Sequence, residues 1–145
     1  MVELIMVILM LGILAAVAMP RINTNEFRGV QFHDQVVQTL RYAQKTATSH
    51  RRLVCVAFTA STVTLTIAAT GDAVSCSDKL NLADKSFQDF VGSNILTSPD
   101  INNIKFSPVP SDFYFKPDGT APTVPPLTIS GQTPIVVAGT TGYVQ

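Results

Sequence analysis

Between Leu4 and Met19 the chain runs almost entirely apolar, with a single carboxylate, Glu3, at the mouth of the run and Pro20-Arg21 closing it. Burying an acid at the entrance of an apolar helix is costly unless something pairs with it. Glu3 is therefore a functional candidate before the remainder of the chain is considered.

Two common explanations of such a segment fit it incompletely. A cleavable secretory signal has a basic start, a short apolar stretch and a small-residue cleavage site. Here the start is acidic and Pro20 follows Met19. A plain transmembrane helix needs about 20 apolar residues, and this run is slightly short, a difference that a thinned bilayer absorbs. The plain anchor accounts for the apolar residues but not for Glu3, since a central charge is penalised by up to ~3 kcal/mol on insertion.

The pattern changes at Ile22 to Gly29, a polar interruption in which Thr24 or Asn25 can cap a new helical stretch. From there Phe32, Val36, Leu40, Ala43 and Ala47 recur at helical spacing, which predicts an amphipathic helix ending near Ser49 to Arg52. Gly12, Pro20 and Gly29 are the expected weak points of the whole helical region.

From Leu53 onward the period shortens. LVCVAF and TVTLTIAA predict two strands joined at Thr59-Ala60-Ser61, with Val63, Leu65 and Ile67 alternating against Thr62, Thr64 and Thr66. Ala69 to Leu82 reads as loop, and Lys85 to Leu96 as a mixed stretch. IKF, DFYF, LTIS and IVVA read as further short strands, punctuated by Pro108, Pro110, Pro117-Asp118-Gly119, Pro125-Pro126, Gly131 and Gly139. The fold class that follows is α+β: residues 1–21 as an apolar helix, 22–52 as its amphipathic continuation, and 53–145 as a β-rich head. Sparse charge, no Trp and plentiful Thr, Val and Pro suit an extracellular module.

Net charge is zero, but Arg21, Arg28, Arg41, Lys45, Arg51 and Arg52 crowd the helical region, whereas the head is mildly acidic. No overall basic field draws the chain to nucleic acid. No nucleophile–base pair, phosphate loop or metal-ligand cluster is visible, so the chain does not read as an enzyme and no cofactor or metal is expected. Asp118 reads as a turn residue. Asp72, Asp78, Asp84 and Asp89 lack the ordered spacing of a calcium loop.

The order VELIMVILMLGILAAVAMPR resembles the N-terminus of type IV pilins and type II secretion pseudopilins: glutamate, apolar run, mid-run Gly12 and closing Pro20. FKPDGT at Phe115 to Thr120, LTISG at Leu127 to Gly131 and TGYVQ at Thr141 to Gln145 resemble the closing strands of GspH/FimT-type minor pilins. RYAQKTATSHRR, Arg41 to Arg52, is similar to their helix exit into the first strand. The resemblance implies a long helix packed on an antiparallel sheet, single-pass insertion in the inner membrane with the head in the periplasm, and exposure at the cell surface once in a pilus. It implies other pilins or pseudopilins as partners in a helical filament. Glu3 would pair there with the free N-terminal amine of a neighbouring subunit, offsetting two charges in an apolar core.

Further expectations depend on that resemblance. Arg21 and Arg28 follow the apolar run, and the positive-inside bias would keep them cytoplasmic. Pilins avoid this with a short basic leader removed by a prepilin peptidase. A leader and about two mature residues are accordingly expected ahead of Met1. In an oxidising periplasm Cys55 and Cys76, the only cysteines, form one disulfide, the alternative being two buried thiols. Some FimT-type proteins bind DNA through basic residues after a C-terminal Gly. The corresponding Gly142-Tyr143-Val144-Gln145 has none, which leaves Arg41, Lys45, Arg51 and Arg52 as the candidate phosphate contacts and argues against DNA as a partner. A major adhesive pilin is the remaining reading.

Overall fold

The computed structural model describes residues 2–17, 24–82 and 93–145. It is α+β, with two N-terminal helices followed by an antiparallel sheet of five strands. Helix α1, Val2–Val17, holds the apolar run, and α2, Thr24–His50, holds the amphipathic stretch. Pro20 and the rest of 18–23 lie outside the described residues, as does most of the stretch read as mixed. Because α2 opens at Thr24, both Thr24 and Asn25 lie inside its first turn rather than at the cap, and the position before it lies outside the described residues. Neither described glycine in the helices interrupts them. Gly29 is a packing position: a Cβ there would lie 2.8 Å from Gln132 Nε2 in the head.

The strands are β1, Val54–Phe58; β2, Thr62–Ile67; β3, Asp78–Lys79; β4, Ile95–Thr97; and β5, Phe113–Phe115. β1 lies between β2 and β5, and β3 and β4 share the outer edge of β2. The β1–β2 hairpin matches the sequence expectation, pairing Val54 with Ile67 and Phe58 with Val63. Thr59 N–H donates to Thr62 O across its turn at 3.0 Å.

The expectation for the C-terminal third needs correction. Only the DFYF stretch forms a strand; IKF, LTIS and IVVA are held by isolated bridges at Phe106–Ile129, Leu127–Ile135 and Val137–Val144. Pro108, Pro110, Pro125, Pro126 and Pro134 flank these segments, and a residue without N–H cannot extend a ladder. The stretch read as loop, Ala69 to Leu82, also contains a strand, β3. Its two polar residues carry no hydrophobic signal, but β3 follows Cys76, which is bonded to Cys55 on β1.

Phe32, Val36, Leu40, Ala43 and Ala47 of α2 are fully buried against one face of the sheet. There they meet Val54 and Val56 of β1, Val63 and Leu65 of β2, and Phe115 of β5. Phe32, Phe58, Phe106, Phe113 and Phe115 form an edge-to-face and stacked series with centroids 5.4 to 5.8 Å apart. Each such side chain contributes about 1.5–3 kcal/mol by burial. The Cys55–Cys76 disulfide, with Cα atoms 6.1 Å apart, lies on the opposite face, because Cys55 alternates with buried Val54 and Val56. Closing that loop stabilises the head by about 3 kcal/mol in the chain-entropy account.

Arg51 ends α2 with a left-handed φ of +52°, while Arg52 N–H donates to Ala47 O at 3.2 Å. Glycine normally takes this position because a Cβ is strained there. Arg51→Gly should therefore raise stability by roughly 1 kcal/mol, the strain relief slightly outweighing the extra freedom of the unfolded chain. Urea denaturation of the full chain in detergent measures this. A lower midpoint for the variant would mean that the guanidinium makes a compensating contact.

Candidate assembly interface

Every described side chain of α1 from Val2 to Leu14 is exposed, from Val7 at 56% to Val2 at 72% among the large apolar ones. An α-helix that is apolar all round has no face to turn to water, so lipid or protein must cover it. Glu3, in the first turn, is its only charged residue. Among the described residues no cation lies within 4.0 Å of Glu3. At Gly12 an added Cβ would meet nothing within 4 Å, so no contact among the described residues explains that glycine.

A helix of 16 residues reaches about 24 Å, less than the ~30 Å hydrocarbon core. Among the described residues no helix is long and apolar enough to cross a membrane. The transmembrane length expected of the first segment is thus not met within α1 itself, because its described end falls at Val17.

The four basic residues considered for phosphate contact have different surroundings. Arg41 is engaged: its Nε and Nη2 both donate to Val144 O, at 3.2 and 3.0 Å. Lys45 is exposed on the outer side of α2, Arg51 is exposed at the helix end, and Arg52 is half-buried beside it. Gln44, one turn from Arg41, donates from Nε2 to Thr141 O at 2.6 Å and to Gly119 O at 3.4 Å. Arg41 and Gln44 thus tie α2 to the C-terminal TGYVQ segment, whose Val144 is fully buried. This tie was not visible in the sequence. The only hint was two long polar side chains flanking the apolar stripe.

Asp118 does sit in a turn. Its Oδ1 accepts from Thr120 Oγ1 at 2.7 Å and Thr120 N–H at 2.9 Å, and these bonds hold its carboxyl below the usual carboxylate range. Asp100 is lowered similarly, chiefly by the Asn103 side-chain amide. Among the described residues no His, Cys, Asp and Glu side chains gather in threes as a metal site. A cleft of about 520 Å³ between α2 and β4 is lined by Gln31, Gln35, Ser93, Ile95, Thr97, Ser98 and Pro99, none of them an acid or base. Comparison of the chain with protein-family models, curated proteins and solved structures gave no match.

Proposed function

We propose that this chain is a minor pilin or minor pseudopilin. It would be a structural subunit of a type IV pilus or type II secretion pseudopilus, held in the inner membrane by α1 with its head in the periplasm. The observation that carries the reading is α1 itself, apolar on all sides, uncovered by the described residues from Val2 to Leu14, and charged only at Glu3. Such a helix is stable only in lipid or among other apolar helices, and a filament subunit needs both in turn. The GspH/FimT-type sequence motifs and an amphipathic helix packed on an antiparallel sheet are in keeping with this. Fractionation of cells producing the full chain tests it. The chain should pellet with membranes and, after shearing, with surface filaments or secretion-system pseudopili. A chain found only in the soluble fraction would remove the proposal.

DNA binding for uptake is the weaker reading. Arg41 spends its guanidinium on Val144 O, and Thr140 to Gln145 carries no basic side chain. Phosphate contacts from lysine and arginine supply most non-specific affinity. Full chain in detergent, titrated with double-stranded DNA at low and physiological salt, should bind weakly at low salt and not measurably at physiological salt. Tight binding abolished by changing Arg51 and Arg52 to alanine would reverse the ranking.

A further inference from the structure

The cleft between α2 and β4 has hydrogen-bonding groups on both walls that the described residues do not answer. Among those residues β4 pairs only with β2. Asn94 O accepts from Leu65 N–H at 2.9 Å, and Ser98 N–H donates to Ser61 O at 2.8 Å. Bonded and non-bonded pairs alternate in an antiparallel ladder, so the backbone groups of Ile95 and Thr97 point away from β2. Ser93 engages the first of these: Ile95 N–H donates to its Oγ at 3.1 Å, and that hydroxyl donates to Ile95 O at 3.3 Å. Thr97 N–H and C=O have no partner among the described residues. On the facing wall Gln35 lines the cleft at 8% exposure, and its carboxamide has no partner among the described residues either. Polar groups buried to that extent are ordinarily paired, so this one points to a bond supplied from outside the fold. Gln31, one turn earlier on the same face of α2, lines the same cleft.

We infer that this cleft takes an extended, uncharged peptide segment of a partner protein, added as a further strand to β4. The open edge offers one donor and one acceptor from the same residue, Thr97, and an extended backbone answers both at once. Gln31 and Gln35 each offer a donor and an acceptor to the row of side chains that such a strand would turn toward α2. No ionised side chain lines the cleft, so a charged segment would lose its hydration there without compensation. No aromatic ring lines it either, which removes the stacking surface that a neutral sugar would use. A volume of about 520 Å³ suits a few residues of chain rather than a folded domain. The site lies wholly on the head and stands whether or not α1 assembles into a filament.

The probe is the capped neutral peptide acetyl-Thr-Val-Thr-Val-Thr-Val-amide, whose residues favour strands, titrated into the isotopically labelled full chain in detergent. NMR should show saturable shifts at the Thr97 backbone amide and the Gln35 side-chain amide, with hydrogen exchange at Thr97 slowed in the bound chain. The same peptide N-methylated at every residue should not bind, because it has no backbone donors. Thr97→Pro removes an N–H that β2 does not use, so it should leave the melting temperature unchanged and weaken binding by about tenfold or more. Gln35→Met keeps the side chain's length and removes its carboxamide. It should weaken binding by about fivefold, and it reads the other wall if proline disturbs β4. The inference is overturned by the absence of saturable shifts, by shifts confined to other residues, by binding of the N-methylated peptide, or by full affinity in the variants. It is overturned equally by a Thr97 amide already protected in the free chain, by shifts there that follow chain concentration without peptide (a second copy), or by a neutral oligosaccharide that saturates the Gln35 amide in the peptide's stead.

Discussion

Glu3→Ala is expected to leave the chain in the membrane fraction while reducing its incorporation into filaments at least tenfold. The two readouts move apart for a physical reason. Glu3 is the sole charge on an otherwise apolar helix, so its removal makes transfer into lipid easier, by up to ~3 kcal/mol if the carboxylate reaches the bilayer interior. In the assembled state the proposed partner, a neighbour's N-terminal amine, would lose its counter-charge among apolar side chains. Breaking one side of a buried pair costs about 3–5 kcal/mol, and about 1.4 kcal/mol already gives tenfold. A helix serving only as an anchor would show improved insertion and no second effect. Glu3→Gln separates charge from shape: it should remain as defective as alanine if pairing with an ammonium is the requirement. Wild-type assembly by either variant would end the pairing argument.

The helices and the first hairpin were legible because their patterns are periodic and locally determined. Phe32, Val36, Leu40, Ala43 and Ala47 mark one face by spacing alone, and each is fully buried. Val63, Leu65 and Ile67 alternate with threonines and likewise turn inward. Legibility falls where pairing is short and non-local. β3 is two polar residues long and pairs with β2 at Thr66–Lys79 and Ile67–Asp78. Nothing in Asp78-Lys79 marks it as strand.

The C-terminal segments fail in the opposite direction. Leu127, Ile129, Ile135 and Val137 alternate as a strand should and are buried, yet with Pro125-Pro126 before them and Pro134 between them they form only single bridges. At the candidate interface, Glu3 was legible because a charge in an apolar run breaks a strong local rule. Arg41 is the clearest case of tertiary context deciding a role. As sequence it is one of a basic group, and in the fold it is a hydrogen-bond donor to a carbonyl 103 residues away.

That C-terminal attachment carries the second large effect. Gly142 has φ +65°, a conformation that strains any residue with a Cβ, and Gly131 has φ +75°. The two differ in space. Around Gly131 an added Cβ meets nothing within 4 Å, whereas at Gly142 it collides with Gly119 O and comes within 2.8 Å of Gln44 Nε2. Gly131→Ala should therefore cost only the backbone strain, about 1 kcal/mol. Gly142→Ala must in addition push the terminal segment off α2. That movement loosens the Gln44–Thr141 and Arg41–Val144 bonds and uncovers Val144, for a total of about 3–4 kcal/mol. Urea denaturation of both variants beside the parent reads the difference directly. In hydrogen exchange, the Gly142→Ala chain should lose protection first at the Val136 and Gln145 amides, which donate to each other's carbonyls. Equal destabilisation by the two substitutions would mean that backbone strain alone governs both turns and that the helix does not clasp the tail.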